Sequence, residues 1–276
     1  MRVRGLLNGL HPWSDVWSRS GWRVQRHVDG QGARLLPPSG EGPMQGTEDE
    51  CIAIATRRAP PSGRARAVVL LHGLLNDPAI MMPMARTIGD AGWAVANLAY
   101  PSTRLSMAVH ARNASAAARA LAEDGAREIA FVGHSLGGLV ARAAIARATA
   151  DGWRPGGLVL VGTPARGSAM ASLFARLPGC DRLLGRGFHS VTLRGAADIP
   201  PPTGARVAIV AGGNGASGFN PLLAGDNDAV VTVAETRMQH VESAFMLVPA
   251  MHNPLMASRT TCAASLSFLQ TGRLRA

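Results

Sequence analysis

The sequence predicts an α/β protein built on a mostly parallel central sheet flanked by helices. Short apolar, β-branched runs recur from residue 50 onward, and helical segments alternate with them. The run Ala67–Leu71 (AVVLL) is apolar throughout, as a strand covered on both faces must be. Alternation at this pitch builds βαβ units, whose crossovers leave the strands parallel. The 276 residues suit one large domain or two small ones.

Residues 1–50 read differently. They are rich in Gly and Pro and hold Trp13, Trp17 and Trp22. Leu6, Leu10, Trp13 and Trp17 follow steps of four, three and four, a helical stripe. Such a stripe packs on its own domain or lies in a lipid interface. Pro12 argues against one continuous helix. The Gly- and Pro-rich stretch Gln31–Thr47 reads as a connection. Cys51–Thr56 is a short apolar run. After the strand Ala67–Leu71, Pro78–Gly92 has helical spacing, with Ile80, Met84 and Ile88 four apart. Met81, Met82 and Met84 suit an adaptable pocket wall and a plain core face equally well. Trp93–Ala99 is the next strand, Ser106–Asp124 an alanine-rich helix, Glu128–Val132 a strand and Leu136–Ala150 a helix. Gly157–Val161, Arg206–Ala211 and Ala244–Pro249 are further strands, and Ser258–Thr271 closes the chain as a helix. The stretch Pro164–Gly204 is too long for a plain connection.

The sharpest local signal is Gly133-His134-Ser135-Leu136-Gly137, between the strand EIAFV and the helix LVARAAIARA. It fits G-x-S-x-G on a strand-to-helix turn, which holds its serine in a strained conformation. Gly133 and Gly137 flank the serine because side chains there would collide as the turn closes. The helix N-terminus points N–H groups at an oxyanion formed beside Ser135. One donor would be the N–H of Leu136. The second would be the N–H of Leu74, in the loop that follows Leu71-His72-Gly73. His72 precedes the nucleophile and is read as shaping that loop.

A serine hydroxyl needs a histidine base, and the histidine needs a carboxylate. After Ser135 the histidines are 189, 240 and 252. His252 follows the strand AFMLVP at its C-terminal end, where a parallel sheet presents its site. His240 precedes that strand, and His189 lies in the insertion. The acid candidates are Asp226 and Asp228. Asp228 abuts Ala229-Val230-Val231, which would anchor its loop, and is favoured over Asp226.

The chain resembles bacterial lipases and esterases of the α/β-hydrolase superfamily. The resemblance rests on VVLLHGLLNDPAIMMPMARTIGDAGWAVANLAYPST, FVGHSLGGLVAR, LVGTPARGSAMA, DNDAVVTVAET and MHNPLM. GHSLGG and TPxRGS are similar to segments of triacylglycerol-lipase relatives. Together the segments lie within residues 67–270; the first 45 residues fall outside it. The resemblance implies an α/β-hydrolase fold with a small cap insertion at about 165–204. The expected organisation is an N-terminal extension, 1–50, and an α/β-hydrolase domain, 51–276. The resemblance also implies a Ser135–His252–Asp228 triad that cleaves carboxylic esters through an acyl-enzyme. At the residue after Asp228 the family usually has Gly, and this chain has Ala229. An acyltransferase with the same triad, or a silent binding module, stays open as an alternative.

No metal or organic cofactor is expected. Cysteines 51, 180 and 262 show no metal or disulfide spacing. The formal net charge of +10 comes from a basic set that is all arginine, scattered rather than clustered. Without a nucleic-acid module, that charge does not argue for nucleic acid. The expected partner is a small-molecule ester or lipid, and peripheral contact with a membrane or lipid interface stays open. The N-terminus makes a poor signal peptide and no run is long enough to span a membrane, so a cytoplasmic location is expected. In the insertion, Met170, Leu173, Phe174, Leu177, Leu183 and Leu184 suit an acyl-binding wall or ordinary packing.

Overall fold

The computed structural model describes residues 11–38, 40–177, 179, 185, 187–238 and 240–276. Four strands come first, β1 (Trp13–Arg19), β2 (Trp22–His27), β3 (Ala33–Leu36) and β4 (Met44–Gly46), in an antiparallel meander. This corrects the helical reading of the Trp13–Trp17 stripe; Leu6 and Leu10, its other members, lie outside the described residues. Two local features explain the strand. Ser20 and Gly21 both have positive φ, 48° and 83°, the two-residue turn whose twist matches a hairpin. The pairing with β2 also shifts register between Asp15 and Trp17. The strand is covered on both faces, so Ser14 through Ser18 are all buried and no two-residue alternation shows. The Trp13 ring meets His27 edge-on, with centroids 4.8 Å apart, and lies 4.3 Å from the Arg34 guanidinium. The connection read over Gln31–Thr47 likewise holds β3 and β4, because the meander buries Ala33 and Leu35.

Helix α1 (Glu48–Arg58) starts at a capping box in which Thr47 and Glu50 satisfy each other's backbone N–H groups. Its first turn is acidic and its last basic, as the helix dipole favours. The apolar run from Cys51 lies inside this helix. Cys51 and Ala55 pack on Val16, Trp17, Val24 and Leu35 of the small sheet.

The rest of the chain follows the expected alternation: β5 (Arg66–Leu71), α2 (Met82–Asp90), β6 (Ala94–Leu98), α3 (Met107–Glu123), β7 (Glu128–His134), α4 (Leu136–Ile145) and β8 (Pro155–Val161). Then come α5 (Ala169–Phe174), α6 (Leu193–Ala197), β9 (Arg206–Gly213), β10 (Glu242–Pro249) and α7 (Arg259–Thr271). Six strands form one parallel sheet in the order β10-β9-β8-β7-β5-β6. Successive strand residues face opposite sides. Val69 and Leu71 therefore join the cluster with Leu121 of α3 and Leu139 of α4, while Val68 and Leu70 join Ile88 of α2 and Phe268 of α7. Met81 and Met84 are fully buried in the second cluster, which is the core-face reading; Met82 is exposed.

This topology positions the site. The chain steps outward from β5 to β6, then returns to β7 and continues to β8. The loops after β5 and β7 thus diverge at neighbouring strand ends, where an open α/β sheet leaves a crevice. The small sheet attaches just beyond β6: Asp15 N–H donates to the Ala99 carbonyl (2.8 Å), and Ala99 N–H donates to Asp15 Oδ2 (2.7 Å). Among the described residues no helix is long and apolar enough to cross a membrane. Cys51 and Cys262 are free and buried, and Cys180 lies outside the described residues.

Candidate active site

Strand β7 delivers Ser135 to the crevice. Its backbone sits at φ 53° and ψ −122°, a conformation that a side chain adopts only when its surroundings impose it. The imposing contacts are backbone approaches. A Cβ on Gly133 would lie 2.4 Å from the Gly138 Cα, and one on Gly137 would lie 2.1 Å from the Leu71 carbonyl oxygen. Gly138 is equally tight against Thr163, at 2.1 Å. Ser135 N–H donates to the Val161 carbonyl at 3.0 Å, which ties the turn to β8. The serine itself is half-buried.

Leu136 is the first residue of α4, so its N–H has no partner within the helix. Leu74 lies in the turn after β5. Among the described residues, neither N–H donates to another group of the chain. Gly73 separates this turn from the elbow, and a Cβ there would stand 3.2 Å from the Ser135 Cβ.

The last two candidates meet directly. His252 Nδ1–H donates to Asp228 Oδ2 at 2.6 Å, and His252 N–H donates to the Asp228 carbonyl at 2.9 Å. The other carboxylate oxygen, Oδ1, accepts the N–H groups of Val230 (3.0 Å) and Val231 (2.7 Å). The valines anchor Asp228 through their backbone N–H groups, and Val231 is buried while Val230 is exposed. Asp226 is engaged elsewhere: its carboxylate accepts the N–H groups of Asn214 (2.8 Å) and Gly215 (2.9 Å). Ala229 has φ 81°, the left-handed region where glycine carries no steric cost. His240 stands before β10, at the opposite end of that strand from His252.

Three site residues escaped the sequence reading. Asn227, fully buried, knots the acid loop: its Nδ2 donates to the carbonyls of Gly225 (2.9 Å) and Asn220 (3.1 Å), and its Oδ1 accepts from Asn220 N (2.9 Å) and Ala229 N (3.0 Å). Gly162 ends β8 at φ 52°, and a Cβ there would lie 3.2 Å from Asp228 Oδ2 and 3.3 Å from His252 Nδ1. His134 is fully buried beside the elbow, and its Nε2–H donates to the His252 carbonyl at 3.1 Å. Burial first, and the neighbouring His252 second, hold His134 well below the ordinary histidine pKa, so its ring stays neutral. Only the run D-N-D at 226–228 hinted at a knotted loop, and nothing local flagged the histidine contact.

The insertion is pinned at its base. Arg142 of α4 is buried and donates from Nη1 to the Ala165 carbonyl (2.7 Å) and from Nη2 to the Ile199 carbonyl (2.6 Å). Leu173, Phe174 and Leu177 are exposed on it; Leu183 and Leu184 lie outside the described residues. Among the described residues no group of three or more His, Cys, Asp or Glu is arranged to hold a metal ion.

Residues 64–159, which hold β5, the turn after it, β7 and the elbow, match the family model described as "Putative serine esterase (DUF676)". The fold is similar to the mature lipase BlEst2 of Bacillus licheniformis, at 17% identity over 78% of this chain and 94% of that one, with a TM-score of 0.59. It is also similar to the esterase Pf2001 of Pyrococcus furiosus, at 15% identity over 97% of this chain and 95% of that one, with a TM-score of 0.52. The RedJ thioesterase of Streptomyces coelicolor aligns at 16% identity over 77% of this chain and 87% of that one, with a TM-score of 0.51. No match was found among curated proteins. Sheet order and these structural likenesses give the chain an α/β-hydrolase fold, and the segment that carries the elbow is similar to a family of putative serine esterases.

Proposed function

We propose that the chain hydrolyses carboxylic esters through an acyl-enzyme on Ser135, with His252 as base and Asp228 as its orienting acid. The observation that carries this reading is the 2.6 Å contact between His252 and Asp228 in a site whose serine is held at φ 53° on the elbow. Because Nδ1–H donates its hydrogen bond to Asp228, the unprotonated Nε2 is left as the acceptor for the serine proton. As Ser135 Oγ attacks the ester carbonyl, His252 takes that proton. The N–H groups of Leu74 and Leu136 receive the developing oxyanion. His252 then protonates the departing alcohol. Water, deprotonated by His252, attacks the acyl-enzyme and frees the acid. The segment 165–204 serves as the cap, and its exposed Leu173, Phe174 and Leu177 supply apolar surface for the acyl chain.

The test is a p-nitrophenyl ester panel from acetyl to palmitoyl, run on the wild type and on Ser135→Ala. The variant should keep the wild-type circular dichroism spectrum and lose activity by roughly four to six orders of magnitude, as removal of a triad member does. Full turnover by the variant would sink the assignment. The position of the optimum along the panel reads the acyl length that the cap accepts.

A further inference from the structure

The proposed oxyanion donor Leu74 sits on a turn that has little to hold it by itself. Leu75, next along, is at φ 59°, a strained position for a branched side chain's backbone. Within the turn, Asn76 N–H reaches the Gly73 carbonyl only at 3.3 Å. The segment that follows β6 grips the turn on both sides of Leu74. Tyr100 Oη–H donates to the His72 carbonyl. Its ring stacks on the His72 imidazole, with centroids 4.2 Å apart and planes 17° from parallel. Two residues on, Ser102 Oγ accepts the N–H of Leu75 at 3.0 Å. Both Tyr100 and Ser102 are buried. The His72 ring adds a third constraint, since its Nδ1–H donates to the Gly73 carbonyl at 2.9 Å.

The grip is itself backed. A Cβ on Gly187 would lie 1.9 Å from the Ser102 carbonyl oxygen, and one on Gly185 would lie 2.0 Å from that of Thr103. The backbone of the insertion therefore presses directly on the segment that holds the turn.

We infer that Tyr100 and Ser102 are positioning residues for the oxyanion donor: they fix the peptides on either side of Gly73-Leu74, so that the Leu74 N–H points into the crevice before substrate arrives. The inference rests on the proposed role of Leu74. A donor helps only if it is aimed at the oxyanion in advance, and both hydroxyls are buried and engaged with the backbone of the turn. Loss of either therefore weakens transition-state binding and leaves ground-state binding alone.

The experiment compares wild type, Ser102→Ala, Tyr100→Phe and Ser135→Ala on p-nitrophenyl butyrate, with inhibition by a phenylboronic acid as a tetrahedral mimic. Thermal melts are recorded for each, and kinetics are run well below the lowest melting temperature. Ser102→Ala and Tyr100→Phe should each lower kcat by about tenfold, keep KM within about twofold and weaken boronate binding in parallel with kcat. A kcat within twofold of wild type, or a loss confined to KM, would overturn the inference. A lower melting temperature with unchanged kcat would overturn it as well, by making the contacts structural only. If Ser102→Ala does not fold, Tyr100→Phe carries the test. Turnover by Ser135→Ala would instead refute the catalytic reading. A silent Ser135→Ala beside a fully active Ser102→Ala would refute the positioning role alone.

Discussion

Ala229 shows how much one residue can carry at this site. It stands where the resemblance expects glycine, and its φ of 81° explains the expectation. An L side chain pays about 1 kcal/mol or more in the left-handed region, and glycine does not. The chain holds Ala229 there through two hydrogen bonds: its N–H donates to Asn227 Oδ1 (3.0 Å), and its carbonyl accepts from Asn220 Nδ2 (3.1 Å). Ala229→Gly should therefore raise the urea midpoint, with a gain of up to ~1 kcal/mol after glycine's greater unfolded-state entropy is counted. A clear fall in the midpoint would mean that the methyl group packs favourably enough to outweigh the strain. Ser135 is the opposite case. Its strain at φ 53° is imposed by the close-packed elbow, and on the proposed reading it serves to present the nucleophile.

At the scale of elements, β1 packs along α3, where Asn113 Nδ2 donates to Ser14 Oγ (2.9 Å), and Asp15 ties the same strand to the end of β6. Asp15 is fully buried, and burial pushes its carboxyl above the usual carboxylate range. It accepts from Ala99 N–H and from Gln25 Nε2 (2.8 Å), and Arg23 lies 3.5 Å away. Asp15→Ala leaves a buried N–H and a buried amide without their acceptor, at a cost of about 1–3 kcal/mol for each such group. The expected result is a urea midpoint lowered accordingly, with Asp15→Asn recovering part of the loss because an amide oxygen can still accept from Ala99. Equal midpoints for wild type and Asp15→Ala would show that the packing of β1 on α3 and its other hydrogen bonds hold the sheet without Asp15. The hairpin that presents Asp15 was partly legible: Ser20-Gly21 between apolar strands is a turn signal. The i, i+4 spacing of Trp13 and Trp17 does not separate the two readings, because residues four apart share a face in a helix and in a strand alike. Helix α1 was legible in hindsight from T-E-D-E, a capping box before an apolar run.

For the whole molecule, buried imidazoles set the response to acid. Burial lowers His72 to about 4 and His110 to about 3, and holds His134 lower than an ordinary histidine. His110 meets the Tyr100 ring edge-on at 4.9 Å, and Tyr100 stacks in turn on His72. In the unfolded chain each takes a proton near pH 6.5, while in the folded chain it does not. The unfolded state then binds more protons, so stability is complete above about 6.5 and falls with pH toward the folded values. Each ring contributes a slope of ~1 kcal/mol per pH unit in that window. The urea midpoint should drop steadily from pH 7 to pH 4.5, and His110→Leu should flatten the drop. A pH-independent midpoint would mean that these rings are protonated in the native state after all.

Some of this protein is written in short stretches of chain. Periods of two and of three to four residues separate strands from helices, because burial on one or two faces repeats with the backbone geometry. G-H-S-L-G after a strand marks the elbow, because a Cβ at Gly133 or Gly137 would lie only 2.1–2.4 Å from neighbouring backbone atoms as the turn closes. The order of Ser135, Asp228 and His252 follows from where parallel strands end. What tertiary structure alone decided are the contacts between segments far apart in sequence. These include Tyr100 and Ser102 on the turn at residues 72–75, the His134 contact with His252, and Arg142 under the insertion. It also decided the docking of Asp15 on Ala99. Each joins a side chain to a backbone group that is equally available on every residue, so no residue type in the partner segment announces it. Such pairs become visible only when the sheet has brought the strand ends together.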